Sequence, residues 1–245
     1  MRVTGVRSDV SAKWESRYRE VLDAAAIAFA ENGYLGASTR DIAERLGIRA
    51  ASLYYYLPSK EAALLAICKL GVLDFIDNLK DIIARRDPAP EKLRAAITNH
   101  LLPLRSHPAA DYIRVFVLHR HELPNGPRQE IGRLARTYQK LIQQIFTDGI
   151  AAGEFAADLN PELATLGLLG LCNSVIAARS LPPTSTIDDF IAEYSRIFIH
   201  GAVAESTARK KGSKSNDHRR QDNAINAARI FHGALGPARI YRLDR

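Results

Sequence analysis

The chain has 245 residues, 47% of them hydrophobic, enough to bury a sizeable core in one or two domains. No apolar run approaches the roughly 18 residues needed to span a bilayer, and residues 1–9 mix charged and small side chains where a secretory signal would have an apolar core. The two cysteines, Cys68 and Cys172, lie far apart in apolar stretches, so a soluble cytoplasmic protein without disulfides or a membrane partner is expected. The net charge of +7 is a weak argument for nucleic acid, because residues 1–60 carry nine Lys/Arg against seven Asp/Glu and residues 61–204 carry 15 against 16. The excess sits in residues 205–245, ten against four.

Apolar residues recur three and four apart, with no sustained strand-like alternation, and the expected fold class is all-α with about nine helices. The first helix is placed at 11–32, with Leu22, Ala25, Ala26, Phe29 and Ala30 on one stripe and Gly33 at the left-handed cap. Ser38 or Thr39 caps a short helix at 40–46, which Gly47 stops. A second short helix covers 50–56, Pro58 ends it, and Ser59 caps a long helix reaching about 86. Proline and glycine divide the remainder into helices near 91–106, 109–122, 128–152, 162–180 and 187–205, with Pro103 kinking or shortening the first of these. Residues 208–223 read as disordered from their Lys, Arg, Ser, Asn, Gln and Asp content. The expected domain boundaries are 1–60, 61–205 and a basic tail at 206–245. That tail either adds unspecific DNA affinity through its Lys/Arg pairs or is a solvated extension.

The segment 39–60 carries the function. Ile42, Ala43 and Leu46 form the inner stripe of the first short helix, and Ala43 is small enough to let a second helix cross closely. Gly47 makes the sharp turn because a residue without Cβ adopts positive φ at little cost. Ile48 and Leu53 then bury the second helix against the first, which is a helix-turn-helix with its second helix suited to the major groove. Arg49, Ala50, Ser52, Tyr55 and Tyr56 point outward. Arg49 can donate two bonds to a guanine edge, Ala50 and Ala51 can touch thymine methyls, and the tyrosine hydroxyls and Lys60 suit phosphates. Tyr54 fits either the core or the DNA face.

These residues resemble the TetR family of repressors. The resemblance rests on Ala25, Phe29, Asn32, Gly33 and Tyr34, then Thr39, Ile42, Ala43, Gly47, the run Leu53-Tyr54-Tyr55-Tyr56 and the segment Ser59-Lys60-Glu61. Leu57 stands where the family usually has phenylalanine. The resemblance implies an N-terminal three-helix DNA-binding domain and a larger helical domain that releases operator DNA when it takes up a small-molecule effector. It also implies that Thr39 and Arg40 touch the DNA backbone and groove edge, that Ser52, Tyr54, Tyr55 and Tyr56 meet bases and phosphates, and that Lys60 anchors phosphate. A homodimer through the last two core helices would use Leu163, Leu166, Gly167, Gly170, Leu171, Ser174 and Ala178, and its operator would have two-fold symmetry. Effector candidates at the bends of the middle helices are His100, Tyr112, Phe116, Arg120, His121, Tyr138, Asn173 and Arg179. The segment 136–155 is similar to branches of the family that respond to acyl-CoA thioesters or fatty acids.

The rival classes are an all-α enzyme and a helical adaptor that has lost DNA binding. The sequence has no Gly-x-Ser-x-Gly elbow, P-loop or Gly-x-Gly-x-x-Gly, and Tyr55, Tyr56 and Lys60 speak against the adaptor. No cofactor is expected and no metal either, since His119 and His121 project about 200° apart on a helix.

Overall fold

The computed structural model describes residues 4–178 and 181–202; Arg179 and the basic tail 206–245 lie outside the described residues. Among the described residues there are nine α-helices and no strand, as the periodicity implies. The first, α1 (Thr4–Gly36), is longer than expected at both ends. Gly33 adopts φ 73°, yet the chain winds one further turn after it, so this glycine makes a kink where an end was expected. α2 (Thr39–Arg45) begins with a full capping box: Ser38 Oγ accepts from the Asp41 amide at 3.2 Å, and Asp41 accepts from the Ser38 amide at 2.8 Å.

α3 (Ala50–Leu53) is shorter than expected. The Tyr56 and Leu57 amides both close on the Leu53 carbonyl at 2.9 Å, so a tight turn displays Tyr54 and Tyr55, while Tyr56, expected to point outward, is half-buried against the core. α4 (Lys60–Ala84) starts from Ser59, whose hydroxyl accepts from the Ala62 amide at 3.1 Å. α5 (Ala89–Leu101) passes at Pro103 into a 3-10 turn, Leu102–Arg105. α6 (Ala109–His119) ends in a second 3-10 turn at Arg120–Glu122. α7 (Asn125–Ala151), α8 (Pro161–Ala177) and α9 (Ile187–Ala202) complete the order. Pro127 is accommodated because the first helical turn has no intrahelical use for its amide.

Two apolar clusters hold the helices together. One joins α1, α2, α3 and the first half of α4 to α6 through Leu22, Phe29, Ile42, Leu53, Leu64 and Val115. The other gathers the second half of α4 with α5, α7, α8 and α9 around Leu79, Leu93, Ile142, Phe146, Leu168 and Cys172. α4 contributes to both and is the shaft between them.

Candidate nucleic-acid interface and effector cavity

The helix-turn-helix assembles as its apolar spacing requires. Ile42, Ala43 and Leu53 are buried, Leu46 and Ile48 half-buried. Gly47 takes φ 63°, and the Ile48 amide closes the turn on the Ala43 carbonyl at 3.0 Å. Arg49, Ala50 and Ser52 are exposed on the opposite side. Tyr55 is 72% exposed and Tyr54 52%, so Tyr54 belongs to the outer face; its hydroxyl lies 3.4 Å from Thr39 Oγ1, tying the turn after α3 to the start of α2. Arg40 is exposed and pairs with Glu44 at 3.1 Å.

Lys60 behaves differently from the expectation. Its ammonium donates to the Tyr34 carbonyl at 2.9 Å and the Ala37 carbonyl at 3.1 Å, and lies 4.5 Å from the Tyr34 ring centre. The kink at Gly33 leaves these carbonyls facing the first turn of α4, and a half-buried ammonium is their nearest donor. Two of its three N–H groups are thereby spent on the α1–α2 corner.

The effector candidates divide. His100, Phe116, Tyr138 and Asn173 line one apolar cavity of about 40 Å³ between α4, α5, α6, α7 and α8. That is room for a few water-sized groups, each needing ~10–15 Å³. His100 Nδ1 is 3.0 Å from the Tyr138 hydroxyl and Nε2 is 3.3 Å from Asn173 Oδ1. Burial holds the ring down to about 4, against the pull of Asn173, so the imidazole is neutral at pH 7. In that state Tyr138 donates to Nδ1 and Nε2–H donates to Asn173, a closed network that turns its polar atoms away from the cavity. Phe75, Ile113 and Ile176 complete the walls. Sequence reasoning missed them because they look like any core residue on a helical stripe.

Tyr112 faces a second, larger space of about 500 Å³, a groove that shares Gly71, Phe75 and Ile113 with the inner cavity. Its lining includes Arg19 and Asp23 of α1 and Asp74 of α4. The Tyr112 hydroxyl donates to Asp23 Oδ1 at 2.9 Å, a direct bond from α6 to α1. Two candidates fall elsewhere. Arg120 folds back on its own helix end, donating to the Phe116 and Val117 carbonyls at 3.1 and 3.3 Å, because the last turn of α6 leaves those acceptors open. His121 is exposed beside Glu122, 3.3 Å away, since α6 has already ended.

On α8, Leu163, Leu166, Gly167, Gly170 and Ser174 are exposed, and Leu171 and Ala178 half-buried. Leu163 at 65% and Leu166 at 49% leave an apolar face on α8, and Ile197 on α9 is 44% exposed. Among the described residues no helix is long and apolar enough to cross a membrane.

A buried two-helix corner presenting exposed Arg49, Ser52 and tyrosines, set on a helical body with an apolar cavity, defines a helix-turn-helix DNA-binding regulator. Comparison with known proteins agrees. Residues 21–67 match the family model of bacterial regulatory proteins of the tetR family, and residues 86–177 match the tetracyclin repressor-like C-terminal domain. The two matches together span more than half of the chain, which belongs to the TetR family. As a member it is a transcriptional repressor that responds to a ligand. The chain is 29% identical over 199 residues to the HTH-type transcriptional repressor KstR2 of Rhodococcus jostii, covering 80% of this chain and 95% of that one. It is 28% identical over 160 residues to the fatty acid metabolism regulator protein of Bacillus subtilis, covering 65% and 81%. The crystal structure of the Bacillus subtilis regulator FadR in complex with stearoyl-CoA superposes with a TM-score of 0.63 at 25% identity, covering 75% of this chain and 98% of that one.

Proposed function

We propose that the chain represses transcription from an operator with two-fold symmetry and is released by an acyl-CoA thioester or a related lipophilic carboxylate. Residues 1–60 bind DNA, residues 61–205 bind the effector and a second copy, and the protein works in the cytoplasm with no reaction of its own. The observation that carries this reading is the pair of spaces back to back across Gly71, Phe75 and Ile113. An acyl end suits the inner, apolar space, and the polar remainder suits the groove that reaches α1. The groove also explains how occupancy is felt at the DNA. A ligand there sits beside the Tyr112–Asp23 bond, so it biases the position of α1 against α6. The fatty-acid regulator and the stearoyl-CoA complex among the similar proteins support the choice of effector class.

Dimerisation through α8 and α9 would cover Leu163, Leu166 and Ile197. The two recognition helices would then face half-sites about 34–36 Å apart or somewhat more. The test is a titration calorimetry series with acyl-CoAs of graded length, paired with release of a duplex recovered from a random-sequence pool. Heat of binding together with loss of DNA is the expected result. No heat from any acyl-CoA would remove this effector class, and failure to retain any duplex would remove the operator reading.

A further inference from the structure

We infer that the part of α1 ahead of the family-matched segment is a second DNA-contact surface, centred on Trp14, which lengthens the footprint of the helix-turn-helix along the duplex backbone. The family match begins at residue 21, whereas α1 begins at Thr4, more than four helical turns earlier. Residues 12–16 of this extension are exposed, so the core of the DNA-binding unit does not need them.

What they carry is an aromatic ledge. Trp14 lies flat on Tyr18, ring centres 5.0 Å apart at 10°, and its other neighbour is Tyr56 at 6.1 Å and 32°. Tyr56 in turn meets Tyr55 edge-on at 5.0 Å. The rings therefore run without a break from the N-terminal extension to the turn that presents Tyr55, and Trp14 remains 38% exposed at the far end. An indole serving only to brace Tyr18 and Tyr56 would bury its second face. One left open at the end of a stack that leads through half-buried Tyr56 to exposed Tyr55 marks an interface, where an amphipathic ring can pack on sugar and donate to a phosphate oxygen.

The occupant follows from continuity and charge. When α3 enters a groove, the sugar-phosphate chain of the same duplex passes the flank of the unit, where the ledge ends. Residues 1–20 hold five Lys/Arg against three Asp/Glu; Lys13 and Glu15 adjoin Trp14, and Arg17, one turn on, is paired with Glu20 at 2.5 Å, so the basic excess of this stretch is modest. A duplex is the partner this charge and this position favour.

The inference rests on the DNA-binding reading, and the experiment separates the two. Trp14 is the chain's one tryptophan, so its emission reports on this site alone. The full chain is titrated with the duplex recovered by selection, once with about ten base pairs of flank, one helical turn, and once trimmed to the contacted half-sites. Binding of the longer duplex is expected to shift Trp14 emission and shield it from iodide. Trp14→Ala is expected to bind that duplex about tenfold more weakly with unchanged helical content, Trp14→Phe to restore most of the loss, and the trimmed duplex to show little difference between variants. Unchanged Trp14 emission on saturation, or equal affinity of Trp14→Ala and the parent chain, would overturn the inference while leaving DNA binding intact. A parent chain that binds neither duplex would overturn both.

Discussion

Arg49 and Lys60 flank the recognition segment, yet the structure gives them different work. Arg49 is exposed at the start of α3, free to meet a base edge, so Arg49→Ala is expected to relax preference at one base pair and to cost roughly 1–3 kcal/mol of specific binding. Competition between single-base variants of the operator measures this. Lys60 instead closes the α1–α2 corner. Lys60→Ala is expected to destabilise the fold by about 1–2 kcal/mol in denaturant unfolding while leaving the salt slope of DNA binding unchanged. A slope reduced by about one would show that the lysine reaches a phosphate after all. His100 makes a third prediction at this scale. Its folded value, held down to about 4, lies below the ordinary 6.5, so the unfolded chain takes up the proton first. The contribution of this residue to stability is complete above 6.5 and is lost as pH falls from there toward 4, on the order of 3 kcal/mol in all. Unfolding midpoints measured down this range should fall less steeply for His100→Gln.

Among the elements, the close fit of α7 to the chain that follows it is set by one missing side chain. A Cβ on Gly149 would stand 2.4 Å from Phe155 Cδ2 and 2.7 Å from the Ala89 side chain. Phe155 and its partner Phe146, ring centres 5.7 Å apart, are both fully buried and have nowhere to move. Gly149→Ala is therefore expected to lose about 1–3 kcal/mol by overpacking, even though alanine is the better helix former. A thermal melt decides it. The same economy governs α2, where the reciprocal bonds of Ser38 and Asp41 stabilise a helix too short to stand alone.

For the whole molecule, coupling depends on which bodies move together. α4 threads both apolar clusters, and Tyr112 bonds α6 to α1 across the groove wall, so a displacement at the cavity has two routes toward the recognition helix. On the proposed two-fold operator, binding needs two such units. Changing Leu163 and Leu166 together to Glu places charge in the middle of the exposed α8 face and is expected to give a monomer by light scattering. Its affinity for a two-fold operator should fall by about a hundredfold or more, because the second half-site no longer gains from the first.

Several of these features follow from local rules. The all-α class came from the three-and-four spacing of apolar residues, the turn of the helix-turn-helix from Gly47, and the outward face from the positions left once Ile42, Ala43 and Leu53 are buried. Each depends on residues a few positions apart, whose geometry the chain dictates locally. Tertiary structure decided the rest. It ended α3 at Leu53 and made a turn of the tyrosines, it set Lys60 on carbonyls more than twenty residues away, and it sent Arg120 and His121 away from the cavity that Phe75 and Ile113 enclose. A side chain's partner across the fold is set by which helices meet and at what angle, and that is a property of the packed ensemble of helices rather than of any one of them.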